Sequence, residues 1–196
     1  VTNAPTLPPA PGTSQHVALD LVNSAVTLAG GRHVDLLDTP EAATRWLVER
    51  ELVPVDAKLW DVCVSRLVRL RDAVRALLEI RTTGRSPSEQ ALRDVNEALT
   101  VAPTALLLHW DERQGLHKAA VHPATQVTEH ALAAIAADAV DLLTGNDAER
   151  LARCDSTPCD RYLLRTHARR HWCSTRCGDR ARAARAYARR TDSATG

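Results

Sequence analysis

Four of the five cysteines fall within 24 residues, as Cys154-x4-Cys159, a gap of 13 residues, and Cys173-x3-Cys177. Thiolates are soft ligands. Two close pairs with a spacer let each pair form one knuckle and fold the second onto the first, the arrangement of a tetrahedral zinc site. Four cysteines leave no ligand position for water, so the implied role is structural: the metal fastens a segment too small to bury a core of its own. Two alternatives stay open on these residues. A pair of disulfides would require an oxidising compartment, and a redox role would depart from the two-residue spacing of thiol oxidoreductases. His167 and His171, in the spacer, either substitute as ligands or face solvent or phosphate. Cys63 falls in the apolar pattern of a long helix and reads as a small core residue.

The charge pattern marks the same segment. The chain of 196 residues has 25 Lys+Arg against 24 Asp+Glu. Residues 1–149 hold 13 basic and 20 acidic side chains (net −7), whereas 150–196 hold 12 Arg and four Asp (net +8). Arg outnumbers Lys 23 to 2, which suggests a codon bias, but a bias does not explain why almost half the basic charge lies in the last quarter. Such asymmetry points to nucleic-acid or membrane contact. No apolar run approaches the roughly 20 residues of a membrane span. The four prolines of Val1–Gly12 replace any charged and then apolar signal, so no membrane partner and a cytoplasmic location are expected.

The elements that must position these groups are mainly helical. Without Phe or Met, the core must be built from Leu, Val and Ala. Apolar spacing predicts a helix over 16–29 ending at Gly30-Gly31. A second starts at Thr39-Pro40-Glu41, and a long one over about 57–82, capped by Asp56, sets Arg66, Arg69, Arg71 and Arg75 among Asp72 and Glu79. Ser86-Pro87-Ser88-Glu89 opens a further helix to about Leu99, and another spans Thr125–Leu143. Segments 104–110 and 116–121, separated by a polar tip, read as a β-hairpin. The expected architecture is therefore mainly α: a Pro-rich disordered start (1–15), a helical domain with one hairpin (16–148), a small four-cysteine finger with a basic helix (149–191) and a tail (192–196).

After Cys177 the Ala/Arg-rich run should be helical. Arg180, Ala183, Ala184 and Tyr187 then share one face, suited to packing on the finger, with Arg180 a partner for Asp160 or Asp155. Arg182, Arg185 and Arg189 lie on another face, with Arg190, Arg169, Arg170 and Arg176 nearby. This set can meet the phosphates of duplex DNA, or it can dock on the acidic body or a partner protein. In the body, Asp20 and Asn23 are one turn apart and form either a buried polar pair or, with Trp46, a ligand contact. His109, His117, His122 and His130 gather around the hairpin as ordinary strand and loop histidines, or as a second metal or haem site. No phosphate-cradling glycine loop, nucleophile elbow or paired-carboxylate motif is present, so the chain leans away from an enzyme. The alternative is a small-molecule or cofactor-binding protein or enzyme with a merely structural finger. A homodimer is also open.

The segment RRHWCSTRCGDRARAARAYARR (169–190), preceded by Cys154 and Cys159, resembles the CGNR zinc finger, in which Trp-Cys-Ser leads to Cys-Gly-Asn-Arg and a basic helix. The stretch HVALDLVNSAVTLAGGRHVDLLDTPEAATRWL (16–47) is similar to the start of the ABATE domain, through Leu19, Asp20 and Asn23 and the run at 35–40. This resemblance implies a stress-responsive or regulatory transcription factor whose finger contacts DNA and whose larger domain senses a small molecule. Two positions depart from the pattern: Asp179 stands where the finger has Asn, and Leu163–His167 replaces a Phe-x-Asp-x-Ser type stretch, with Arg165 in an acidic place.

Overall fold

A computed structural model describes residues 7–84, 86–102, 106–120 and 126–195. The elements are α1 (Val17–Val22), β1 (Ala25–Thr27), β2 (His33–Asp35), α2 (Pro40–Val48), α3 (Asp61–Thr83), α4 (Glu89–Thr100), β3 (Leu106–Asp111), β4 (Gly115–Ala120), α5 (Val127–Thr144), β5 (Leu151–Arg153), β6 (Tyr162–Leu164) and α6 (Thr175–Thr195). The strands form three separate antiparallel pairs, β1–β2, β3–β4 and β5–β6. The fold is mainly helical, with hairpins, a four-cysteine cluster and a C-terminal helix.

The body is built around α5, whose run of Ala and Leu buries His130–Ala133, Ile135, Ala136, Ala139 and Leu142. Helices α1, α3 and α4 pack on it. Leu67, Leu70, Val74 and Leu78 of α3 supply the facing layer. Small alanines let helix axes approach closely, which makes a core without Phe or Met workable. Among the described residues, no helix is long and apolar enough to cross a membrane.

Helix α2 starts where Thr39 accepts the Ala42 N–H and Pro40 takes the first turn. Elsewhere tertiary partners override the local pattern. The helix expected over 16–29 stops at Val22, and the chain returns as the β1–β2 pair through Gly30 and Gly31, both at positive φ. The carbonyls of Val22 and Ala25, needed for a longer helix, accept instead from Arg75 at 2.6 and 2.8 Å. Helix α3 begins at Asp61 rather than near residue 57, because the Ala57 N–H closes a turn on Pro54 and the Leu59 N–H is taken by Thr44 Oγ1. On α3, Arg71 turns into the core and grips Asp35 through two bonds of 2.7 and 2.8 Å. Burial alone would raise the Asp35 pKa, but the Arg71 guanidinium holds this carboxyl below its ordinary value.

The Pro-rich start is not disordered throughout. Ala10 is buried in the finger's small core, Pro11 accepts from the Leu164 N–H at 2.8 Å, and Gly12 lies so close to Leu164 that a Cβ would meet its side chain at 2.6 Å. Residues 1–6, positions 104, 105, 121 and 125 of the expected elements, and His122 lie outside the described residues.

At the start of α1, Asp138 of α5 accepts the Ala18 N–H (2.7 Å) and also meets His16 Nδ1 (2.8 Å), whose Nε2 lies 3.2 Å from Asp147. Burial opposes charge on His16, but the hydrogen bonds and charges of the two aspartates outweigh it and raise the pKa above the usual histidine value. The stabilisation is therefore full below about pH 6.5, the unfolded value, and fades as pH rises through the folded value. The urea midpoint is expected to be higher at pH 6 than at pH 8.5, and His16→Gln should flatten that difference; equal pH dependence in both proteins would refute the assignment.

Candidate metal centre and basic helix

Strand β5 runs directly into Cys154, whose N–H continues the β5–β6 ladder by bonding the Arg161 carbonyl at 2.8 Å. A tight turn returns the Cys159 N–H to the Ser156 carbonyl, also at 2.8 Å. The second knuckle is the start of α6: Ser174 Oγ accepts the Cys177 N–H (3.3 Å), which places Cys177 in the first helical turn. The knuckles are joined by the Asp155 N–H to the His171 carbonyl (3.0 Å) and by the Cys173 N–H pointing at Cys154 Sγ (3.4 Å).

All four sulfurs are buried and lie within 4.8 Å of one another. Cys159 and Cys173 are separated by 3.7 Å and Cys173 and Cys177 by 3.6 Å. Four thiolates at about 2.3 Å from a central ion stand about 3.8 Å apart in a tetrahedron, so the cluster is positioned to hold a metal ion. Disulfide sulfurs would be about 2.05 Å apart, and all five cysteines are free. Hydrogen bonds from Cys159 and then Cys173 hold the Cys154 thiol down at about 2. The reciprocal contact pushes Cys173 up to about 12 and raises Cys159 as well. Metal binding takes the thiolate form of cysteine, so a cation at the centre of the cluster would favour ionisation of its ligands.

Among the described residues, Ala10, Ala152, Leu163 and the partly buried Trp172 complete the finger's core around the cysteines. Trp172 lies against Gly178, where a Cβ would approach its ring at 3.0 Å. His171 bonds Asp155 (3.1 Å), and His167 lines a surface groove; the only group of three or more ligating side chains among the described residues is the four cysteines. His109 and His117 are cross-strand partners with ring centroids 6.1 Å apart, as their spacing suggested, whereas His130 is buried on α5.

The finger is continuous with the body. Tyr162 and Leu164 of β6 belong to the body's core. Asn23, 3 % exposed, bonds both the carbonyl and the N–H of Tyr162 at 2.9 Å, and Asp160 accepts from the backbone and hydroxyl of Thr27. Arg75 adds the Asp160 carbonyl (3.1 Å). Asp20 instead meets Arg50 at 2.5 Å, and that guanidinium stacks 4.1 Å from the centre of the Trp46 ring. Asp20 and Trp46 are thus joined through Arg50, while Asn23 faces the finger. Asn23→Ala would leave two buried backbone groups unpaired and should cost about 2–4 kcal/mol. Chemical denaturation checks this, and a loss under about 0.5 kcal/mol would contradict the contact.

On α6, Arg180 does face the finger, but its partners are the Ser156 carbonyl (3.0 Å) and Cys177 Sγ (3.4 Å), since Asp160 is held by Thr27 and Asp155 by His171. The packing face expected to include Ala183, Ala184 and Tyr187 ends sooner: these residues are exposed, Tyr187 by 64 %. A helix of 21 residues is about 31 Å long, more than this small finger can cover. Arg169, Arg176, Arg182, Arg185, Arg189 and Arg190 are exposed, and Arg170 is half-buried. Arg169, Arg170 and Arg182 converge with His167 and Trp172 on a groove of about 230 Å³ beside the first turn of α6. Arg182 and Arg185 stand 5.6 and 5.5 Å from the centre of the Trp172 ring, and Asp179 pairs with Arg182 at 2.5 Å. Sequence reasoning passed over Arg71, Arg75 and Arg161 as inward-facing groups, because nothing in their spacing separates them from surface arginines.

No curated protein matches the chain at a significant level. Residues 15–146 match the ABATE family, described as "Putative stress-induced transcription regulator", and residues 150–190 match the CGNR zinc finger. With an ABATE match over most of its length and a CGNR finger directly after it, the chain belongs to the family that joins these two modules.

Proposed function

We propose that this protein is a zinc-containing transcription regulator that binds duplex DNA through 149–191, with the helical body of 16–148 responding to a small-molecule effector. The metal is zinc, held by Cys154, Cys159, Cys173 and Cys177 in a structural role, consistent with an all-thiolate set and its spacing. The observation that carries the DNA reading is the exposure of Arg182, Arg185 and Arg189 on α6. Arg176 and Arg190 extend this basic surface, and the groove with Arg169 and Arg170 continues it.

The shape supports the same reading. An α-helix with side chains is about 10–12 Å across and the major groove about 12 Å wide. Alanines at 183, 184, 186 and 188 keep the projecting part of α6 slender between its arginines. Phosphate contacts position the helix, and any arginine that reaches a base edge would prefer guanine. The test is duplex binding by the zinc-loaded chain across a salt series. Four to six phosphate contacts predict a slope of log K against log salt of about −4 to −5. Absence of binding at low salt would reject the DNA reading.

A further inference from the structure

The side chain of Arg161 presents a buried charge that the described fold does not balance. It is 5 % exposed, it forms no ion pair among the described residues, and its Nε has no hydrogen-bond partner. Arginine stays protonated in proteins, and a buried charge without a counter-charge is strongly disfavoured. Asp160, its neighbour in sequence, is occupied by Thr27. Arg161 is in the finger, and its carbonyl is bonded to the Cys154 N–H. A second arginine has a related position. Arg180 spans the two knuckles, donating through Nη2 to the Ser156 carbonyl of the first and to Cys177 Sγ of the second, while its Nε is buried and unpartnered. It too has no ion pair among the described residues.

We propose that Arg161 and Arg180 are the counter-ions of the four-thiolate zinc centre and determine how tightly this finger holds its metal. The inference rests on the zinc reading above. A divalent ion with four thiolates carries two negative charges, which two guanidinium groups would balance, while the finger's Asp155 and Asp160 are engaged by His171 and Thr27. Each arginine lacks a balancing anion until the thiolates form, so metal uptake and arginine burial support one another. Arg180 also makes the first turns of α6 part of the metal's surroundings, since its contact with Cys177 and Ser156 ties the helix to both knuckles. Residues that support metal ligands from behind commonly alter affinity by about 10–100-fold.

The experiment titrates the zinc-saturated full chain with a chromogenic zinc chelator, comparing wild type, Arg161→Met, Arg161→Lys and Arg180→Met, with circular dichroism recorded on each. Either methionine substitution is expected to weaken zinc retention tenfold or more while the body's helical signal is kept, and Arg161→Lys to recover most of the loss. Should Arg161→Met fail to fold, Arg180→Met, on the more exposed side of the finger, decides. Methionine variants that hold zinc as tightly as wild type would overturn the proposal, as would equal losses in Arg161→Met and Arg161→Lys, which would show that charge is not what matters. A wild-type chain that takes up no zinc shows failure of the zinc reading before any variant is compared, and overturns this inference with it.

Discussion

Replacing Cys159 of the four-cysteine cluster, as Cys159→Ser, is expected to unfold the finger and weaken the body with it. The finger's core consists of four cysteines, two alanines, Leu163 and part of Trp172, too little apolar surface to offset the entropy of ordering the segment. Zinc binding energy would supply the remainder. The damage should spread, because Tyr162 and Leu164 are 2 % and 1 % exposed within the body's own core and Asn23 bonds the Tyr162 backbone. A loss of about 3 kcal/mol or more from the body is expected, comparable to a large core truncation. Hydrogen exchange reads both effects. The Tyr162 N–H and the first amides of α6 should lose protection in Cys159→Ser and in chelator-treated wild type, whereas α3 and α5 remain helical. Unchanged protection at Tyr162 in a chain shown to be free of metal would mean that packing alone holds the finger.

Replacing Arg182, Arg185 and Arg189 together with glutamine is expected to reduce duplex affinity roughly a hundredfold, at about 1 kcal/mol for each lost contact. The salt slope should become shallower by about 2.7. Arg182 and Arg185 lie over the Trp172 ring, exposed contacts of about 0.5–1 kcal/mol each, so a small loss of thermal stability is expected while zinc content should be retained. A triple variant that binds with unaltered affinity and slope would move the interface elsewhere. The Arg182–Asp179 pair adds a detail: Asp179 occupies the position of the finger's usual Asn and, on the DNA reading, would compete with phosphate for Arg182. Asp179→Asn should therefore tighten duplex binding severalfold, measured at the same salt.

The convergence of the four cysteines was legible from spacing alone because knuckles are local: each pair closes a short loop, and the number of residues between cysteines is itself the geometric constraint. The family match, the helical body and the start of α2 at Thr39-Pro40 were legible for similar reasons, since periodicity and caps act within a few residues. The charge split was readable too, as was the separation of Arg180 from Arg182, Arg185 and Arg189 by helical phase.

What depended on tertiary structure was every group whose partner lies far along the chain. Asn23 looked equally suited to a ligand and to a buried pair until Tyr162, 139 residues away, took both ends of its amide. The helix expected over 16–29 was cut short by Arg75, which lies 50 residues from Ala25 and competes for its carbonyl. Ala10 seemed part of a loose leader, yet it fills the finger's core. The balance between an arginine stripe docked on the acidic body and one facing solvent could not be read from net charges of −7 and +8, because charge sums carry no direction. What the tertiary structure adds is the exposure of these arginines along α6, a helix of 21 residues. Residue type and local spacing thus settle where the cysteine cluster and the helices form, while long-range hydrogen bonds and packing settle which polar groups are consumed by the fold and which stay exposed.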